Sequence, residues 1–65
     1  MNSDISEGKW HQLKGKIKEE WNELTNDEIE ASEGRAEQLA GHIQERYGLA
    51  RDAAKKRIRE LADAI

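Results

Sequence analysis

The chain has 65 residues, with no Cys and no Pro, 38% charged residues and a formal net charge of −3. The lack of Cys excludes a disulfide framework, thiolate metal ligation and thiol chemistry together, and no apolar run approaches the roughly 20 residues that span a bilayer. Leu and Ile supply only 11 residues and Val and Phe none, but the small net charge argues against a disordered chain, so one thin-cored domain over residues 1–65 is expected.

Abundant Glu, Lys, Arg, Gln, Ala and Leu favour an all-α fold. The opening Met1-Asn2-Ser3-Asp4-Ile5 lacks the basic and apolar regions of a signal peptide, so the cytoplasm is the expected compartment. A first helix is predicted from about Glu7 to Leu24, because Trp10, Leu13, Ile17, Trp21 and Leu24 recur at spacings of three and four. Thr25-Asn26-Asp27-Glu28 then has the form of a capping box, with acidic residues suited to the positive end of a short second helix. Ser32-Glu33-Gly34 breaks it. A third helix is expected over about Glu33 to Tyr47, with Ala36, Leu39, Ala40, Ile43 and Tyr47 as its stripe and Gly48 as a left-handed terminator. The fourth covers about Ala50 to Ala64, with Ala54, Ile58, Leu61, Ala62 and Ile65 on one arc and Arg51, Lys55 and Arg59 on its flank. The expected core is Trp10, Leu13, Ile17, Trp21, Leu39, Ile43, Tyr47, Ile58 and Leu61.

An internal repeat runs through this pattern. Residues 8–21 align without gaps on residues 34–47, matching Gly, Gln, Leu, Gly, Ile and Glu, with Lys/Arg and Trp/Tyr as similar pairs. Periodicity requires neither the glycines nor the glutamines. Repeat halves of about 8–33 and 34–65 imply two helical hairpins, first helix with second and third with fourth, related by approximate two-fold symmetry. Short connections favour steep crossings. Gly15 and Gly41 lie off the seam, and a mid-helix Gly costs roughly 0.8–1 kcal/mol relative to Ala. A close approach there, such as that of a crossing helix backbone, would account for them, but the sequence does not say what approaches.

Gly8-Lys9-Trp10, Lys14-Gly15-Lys16-Ile17-Lys18-Glu19, Trp21, Leu24-Thr25-Asn26-Asp27-Glu28 and Gln44-Glu45-Arg46-Tyr47-Gly48 together resemble the CsbD-like family of small bacterial proteins. The similarity covers nearly the whole chain, the last helix matching only in general character. It implies four helices as two crossed α-hairpins in a SAM-domain-like arrangement, and a general stress-response setting. It supplies no enzymatic activity, cofactor or binding residue to transfer.

The residues themselves offer little chemistry. His11 and His42 fall at non-equivalent repeat positions, and surface imidazoles explain them better than metal ligation. No apolar pocket is evident that would separate the pKa values of two carboxylates for acid–base work, and Ser3, Ser6, Ser32 and Thr25 have no nucleophile motif around them. Neither an enzyme nor a cofactor or metal site is expected. Residues 1–34 carry four basic and nine acidic side chains, net −5, whereas residues 35–65 carry seven basic and five acidic, net +2. Arg51, Lys55 and Arg59 are therefore the candidate contacts for nucleic acid, expected to gather with Arg35 or Arg46 if that reading holds. A solvated face laced with ion pairs is the competing interpretation. The sequence favours a monomeric, non-enzymatic stress protein: a soluble protectant, or a weak interaction module with a protein partner at Trp10, Leu49 or Ile65.

Overall fold

The computed structural model describes residues 5–65, which form four helices: α1 (Glu7–Glu20), α2 (Asn26–Ala31), α3 (Ala36–Tyr47) and α4 (Arg51–Asp63). No strand occurs among the described residues. α1 begins after Ser6, whose extended backbone marks the entry, and it ends four residues earlier than the apolar stripe suggests. Trp21 leaves helical geometry at φ −126° and ψ 73°, while its N–H still donates to the Ile17 carbonyl. The Lys18 ammonium then donates to the carbonyls of Asn22 (3.0 Å) and Leu24 (2.5 Å), tying the loop that follows back to the last turn of α1.

α2 starts on the expected capping box. The Glu28 N–H donates to the Thr25 hydroxyl (3.1 Å) and the Thr25 N–H donates to the Glu28 carboxylate (3.0 Å). The break after α2 is longer than expected, because Glu33 and Gly34 both adopt left-handed backbone, at φ 54° and 75°. Two successive left-handed residues cannot continue a right-handed helix, so α3 starts at Ala36 rather than near Glu33. Ser32, fully buried in this turn, is satisfied by donating to the Ile29 carbonyl (2.7 Å). α3 stops at Gly48, which takes the left-handed position at φ 67° and donates to the Gln44 carbonyl (2.9 Å).

One buried cluster joins all four helices: Ile5, Leu13, Ile17, Trp21, Leu24, Ile29, Ala36, Leu39, Ala40, Ile43, Ala54 and Ile58. Trp10, Leu61, Ala62 and Ile65 are partly buried against it. Tyr47, expected in the core, is 37% exposed. Its ring has a polar tip, and that tip accepts a hydrogen bond from the Glu23 N–H (2.9 Å), tying the end of α3 to the loop after α1. Ile5 and Ile29 join the core without belonging to any periodic stripe.

The closely packed helix pairs are α3 with α4, α1 with α4, and α2 with α3. α1 and α2 are not among them, so the first of the two expected hairpins is not a tightly packed unit. The cause is length. α2 has six residues and buries only Ile29, too little to cover the α1 stripe, and α1 lies instead on the 13-residue α4.

No neighbouring backbone among the described residues comes close to Gly15 or Gly41. A Cβ added at Gly15 would meet nothing within 4 Å, and one at Gly41 would meet only the Arg51 guanidinium at 3.5 Å, an ordinary contact.

Candidate functional site

On α4, Ala54 and Ile58 are fully buried, and the basic residues Arg51, Lys55 and Arg59 run along the flank of that buried arc. Arg51, Lys55 and Arg59 recur every four residues and so share one face of the helix. Arg51 and Arg59 are exposed and Lys55 is half-buried. The three do not form an uninterrupted positive surface. Arg51 sits 3.9 Å from the Glu37 carboxylate, and Arg59 shares a second groove with Lys9 and Asp63 at the far end of α4.

The expectation that α4 would be joined by Arg35 or Arg46 resolves differently for each. Arg35 lies with Arg51 in a groove of about 630 Å³ between α3 and the start of α4, lined also by Glu37, Gln38, Gly41, His42 and Glu45. Arg46 faces the other way, onto Glu28 of α2. The groove thus holds two guanidinium groups and two carboxylates.

Besides the Lys14–Glu30 pair that joins α1 to α2 at 2.7 Å, two bridging clusters that the sequence does not announce link the helices. Arg57 grips Glu20 through two hydrogen bonds, Nε at 2.6 Å and Nη2 at 3.2 Å, and also lies 3.6 Å from Glu60. This fork-to-carboxylate geometry links α4 to the end of α1. The hydrogen bond from Arg57 lowers the Glu20 pKa against a smaller opposing effect of desolvation, and Glu20 raises that of Arg57 in return. Glu28 has a second duty beside its cap: Arg46 approaches it at 3.0 Å and the His42 imidazole at 3.7 Å. Its pKa is lowered first by the Thr25 N–H and then by Arg46, with desolvation opposing. The capping motif is a sequence signal for Glu28 itself. For the Arg57–Glu20 pair, 37 residues apart, there is none.

Little here resembles a reaction centre. No group of three or more His, Cys, Asp or Glu among the described residues has the spacing to hold a metal ion. The resolved carboxylate shifts belong to ion pairs at the surface rather than to a cleft. His11 is exposed on α1 and far along the chain from the His42 cluster. No helix among the described residues is long and apolar enough to cross a membrane. Of the three residues named for a partner patch, Trp10 and Ile65 pack against the core, and Leu49 is 37% exposed.

Comparison with known proteins gives a family and no chemistry. The chain is 49% identical to a UPF0337 protein of Pseudomonas aeruginosa over the full length of both. It is 56% identical to a UPF0337 protein of Bordetella pertussis across 97% of this chain and 96% of that one. The UPF0337 protein YjbJ of Escherichia coli is 50% identical over 89% of this chain and 84% of its own length. No solved structure matches. The family model described as CsbD-like matches residues 4–56, from the approach to α1 into the middle of α4. With most of the chain covered and half of its residues shared with full-length relatives, this protein belongs to the CsbD-like family.

Proposed function

We propose that this chain is a non-enzymatic bacterial stress-response protein, cytoplasmic and monomeric, that works by remaining folded and soluble when the cell interior becomes concentrated. The single observation that supports this best is the division of its surface from its core. Twelve apolar residues are buried together, and Tyr47 and Leu49 are the large hydrophobic residues left exposed among those described. The remainder of the surface is dominated by charges of both signs, many in bridging pairs. Such a coat resists self-association, and a core sealed in this way offers no broad apolar patch for a dedicated protein partner.

The test is recovery of a dehydration-sensitive reporter enzyme dried with this protein, against an equal mass of an unrelated small helical protein. A protectant preserves more reporter activity than the control, and does so in proportion to its concentration. Equal recovery in both arms, together with a stoichiometric partner captured from stressed lysate, would replace the protectant reading with that of an interaction module.

A second reading, nucleic-acid binding through Arg51, Lys55 and Arg59, is supported by their common face and by Arg35 sharing the groove of Arg51. Glu37 beside Arg51 and Asp63 beside Arg59 weigh against it, since a polyanion laid along α4 meets these carboxylates too. Nuclease-sensitive capture that falls steeply with added salt, and that Arg51/Lys55/Arg59→Ala abolishes, would establish it.

A further inference from the structure

Arg35 is half-buried in the groove between α3 and the start of α4, and its guanidinium has no ion pair or hydrogen bond among the described residues. Arg51 faces the same groove, and its ion-pair partner, Glu37, stands off at 3.9 Å with both side chains half or more exposed. A contact that long and that wet is worth little, so most of the five donors on Arg51 are without a protein acceptor. Gly41 also lines the groove, and the Arg51 guanidinium lies over it, 3.5 Å from where a Cβ would stand. At about 630 Å³ the groove is within the ordinary range for small ligands.

We propose that this groove binds a small phosphate-bearing molecule, with Arg35 and Arg51 taking the phosphate oxygens. Guanidinium groups suit this task because their planar fork matches two oxygens of a tetrahedral oxyanion at once. Glu37 and Glu45 narrow the choice. Both line the same groove, well within a screening length of the arginines. They repel a second negative group on the ligand and favour a cationic one. The occupant is therefore a phosphate monoester that also carries an ammonium group, rather than a stretch of nucleic acid whose successive phosphates would run into the two carboxylates.

The probe is O-phosphoethanolamine, titrated against the isotopically labelled full chain while backbone amide shifts are followed. Inorganic phosphate and a single-stranded oligonucleotide form the comparison arms. Saturable shifts are expected at Arg35, Gly41 and Arg51. Phosphoethanolamine should bind about threefold more tightly than inorganic phosphate, the equivalent of one exposed ion pair. Arg35→Gln and Arg51→Gln should each weaken binding about tenfold, one charge-assisted hydrogen bond apiece. Glu37→Gln combined with Glu45→Gln should remove the preference over inorganic phosphate, and Lys16→Gln, on an exposed part of α1, should change nothing. Amide dispersion checks that each variant folds, and if Arg35→Gln does not, Arg51→Gln on the neighbouring helix decides alone. Shifts spread over all Lys and Arg without saturation would overturn the proposal. So would an oligonucleotide that saturates the same amides more tightly than phosphoethanolamine.

Discussion

Residues 8–21 and 34–47 share six identities in register, yet the two stretches live in unlike surroundings. At the seam they agree: Leu13 and Leu39, and likewise Ile17 and Ile43, are all fully buried. Away from it they part. Trp10 is partly exposed where Ala36 is sealed, and Trp21 is 6% exposed where Tyr47 is 37% exposed. The reason lies in the helix that comes next in each half. α3 leads into α4, which lies along it, whereas α1 leads into the six-residue α2 and finds its cover on α4 instead. A repeated seam therefore specifies which side of a helix is buried. The length of the next helix specifies by what.

The crossings between halves show a different kind of correspondence. Glu20 of α1 aligns with Arg46 of α3, and each bridges to a helix of the other half: Glu20 to Arg57 on α4, Arg46 to Glu28 on α2. The charges are reversed, but the closely packed pairs α1 with α4 and α2 with α3 each carry one such bridge. Bridges also run between each stretch and the helix that follows it, Lys14 to Glu30 at 2.7 Å and Arg51 to Glu37 at 3.9 Å.

The hardest test of the comparison is at the seam. Leu13→Ala and Leu39→Ala should each cost about 2–5 kcal/mol, the usual range for emptying a fully buried leucine site, read as a fall in urea midpoint or outright unfolding. Similar losses at the two sites would uphold the equivalence. A much smaller loss at Leu13 would mean that α1 is docked only loosely. Next in size is the terminator that one half has and the other lacks. Gly48 occupies left-handed backbone at φ 67°, whereas α1 ends on Trp21 outside that region. Gly48→Ala should lower stability by about 1–2 kcal/mol in the same measurement, since a Cβ clashes with the carbonyl there.

Much of this fold was legible because it rests on local rules. Thr25 and Glu28 announce the α2 cap, Gly48 the end of α3, and the spacing of Leu13, Ile17, Leu39, Ile43 and Ile58 the buried faces. Ile5 and Ile29 were not legible, because a lone apolar residue at a chain entry or in a six-residue helix produces no period. Tyr47 misleads for a chemical reason: it continues the apolar stripe but carries a hydroxyl that is better placed at an edge. The candidate groove was half legible. Arg51 stood out within the α4 basic run and Arg35 was one of its two expected companions, while the left-handed turn at Glu33 and Gly34 that sets where α3 begins, and so decides between Arg35 and Arg46, leaves no signal in the sequence.

The paired mid-helix glycines supply a smaller effect of opposite sign. With open space around its missing Cβ, Gly15→Ala should stabilise the protein by about 0.8–1 kcal/mol. Gly41→Ala should gain about as much, since the new methyl makes only an ordinary contact with the Arg51 guanidinium at 3.5 Å. A loss of stability at Gly41 alone would show that Arg51 lies closer to α3 in solution.

Acid titration probes the two crossings separately and with the gentlest effect. Glu20 and Glu28 both have pKa values held below the ordinary 4.5 in the folded state. On acidification the unfolded chain takes up protons before the folded one, so the stabilisation is complete above about pH 4.5 and is lost as pH falls through the lowered folded values. Urea midpoints should therefore drop below that pH and stay level above it. Glu20→Gln removes the charge facing Arg57. Glu28→Gln removes the charge facing Arg46 while keeping an oxygen for the Thr25 N–H, as glutamine serves in a capping box. Each substitution should flatten part of the acid slope, and 1 M salt should flatten it further, because both bridges lie at the surface. A Glu28→Gln variant with an unchanged slope would mean that neither the Thr25 N–H nor Arg46 holds the Glu28 carboxyl below its ordinary range in solution.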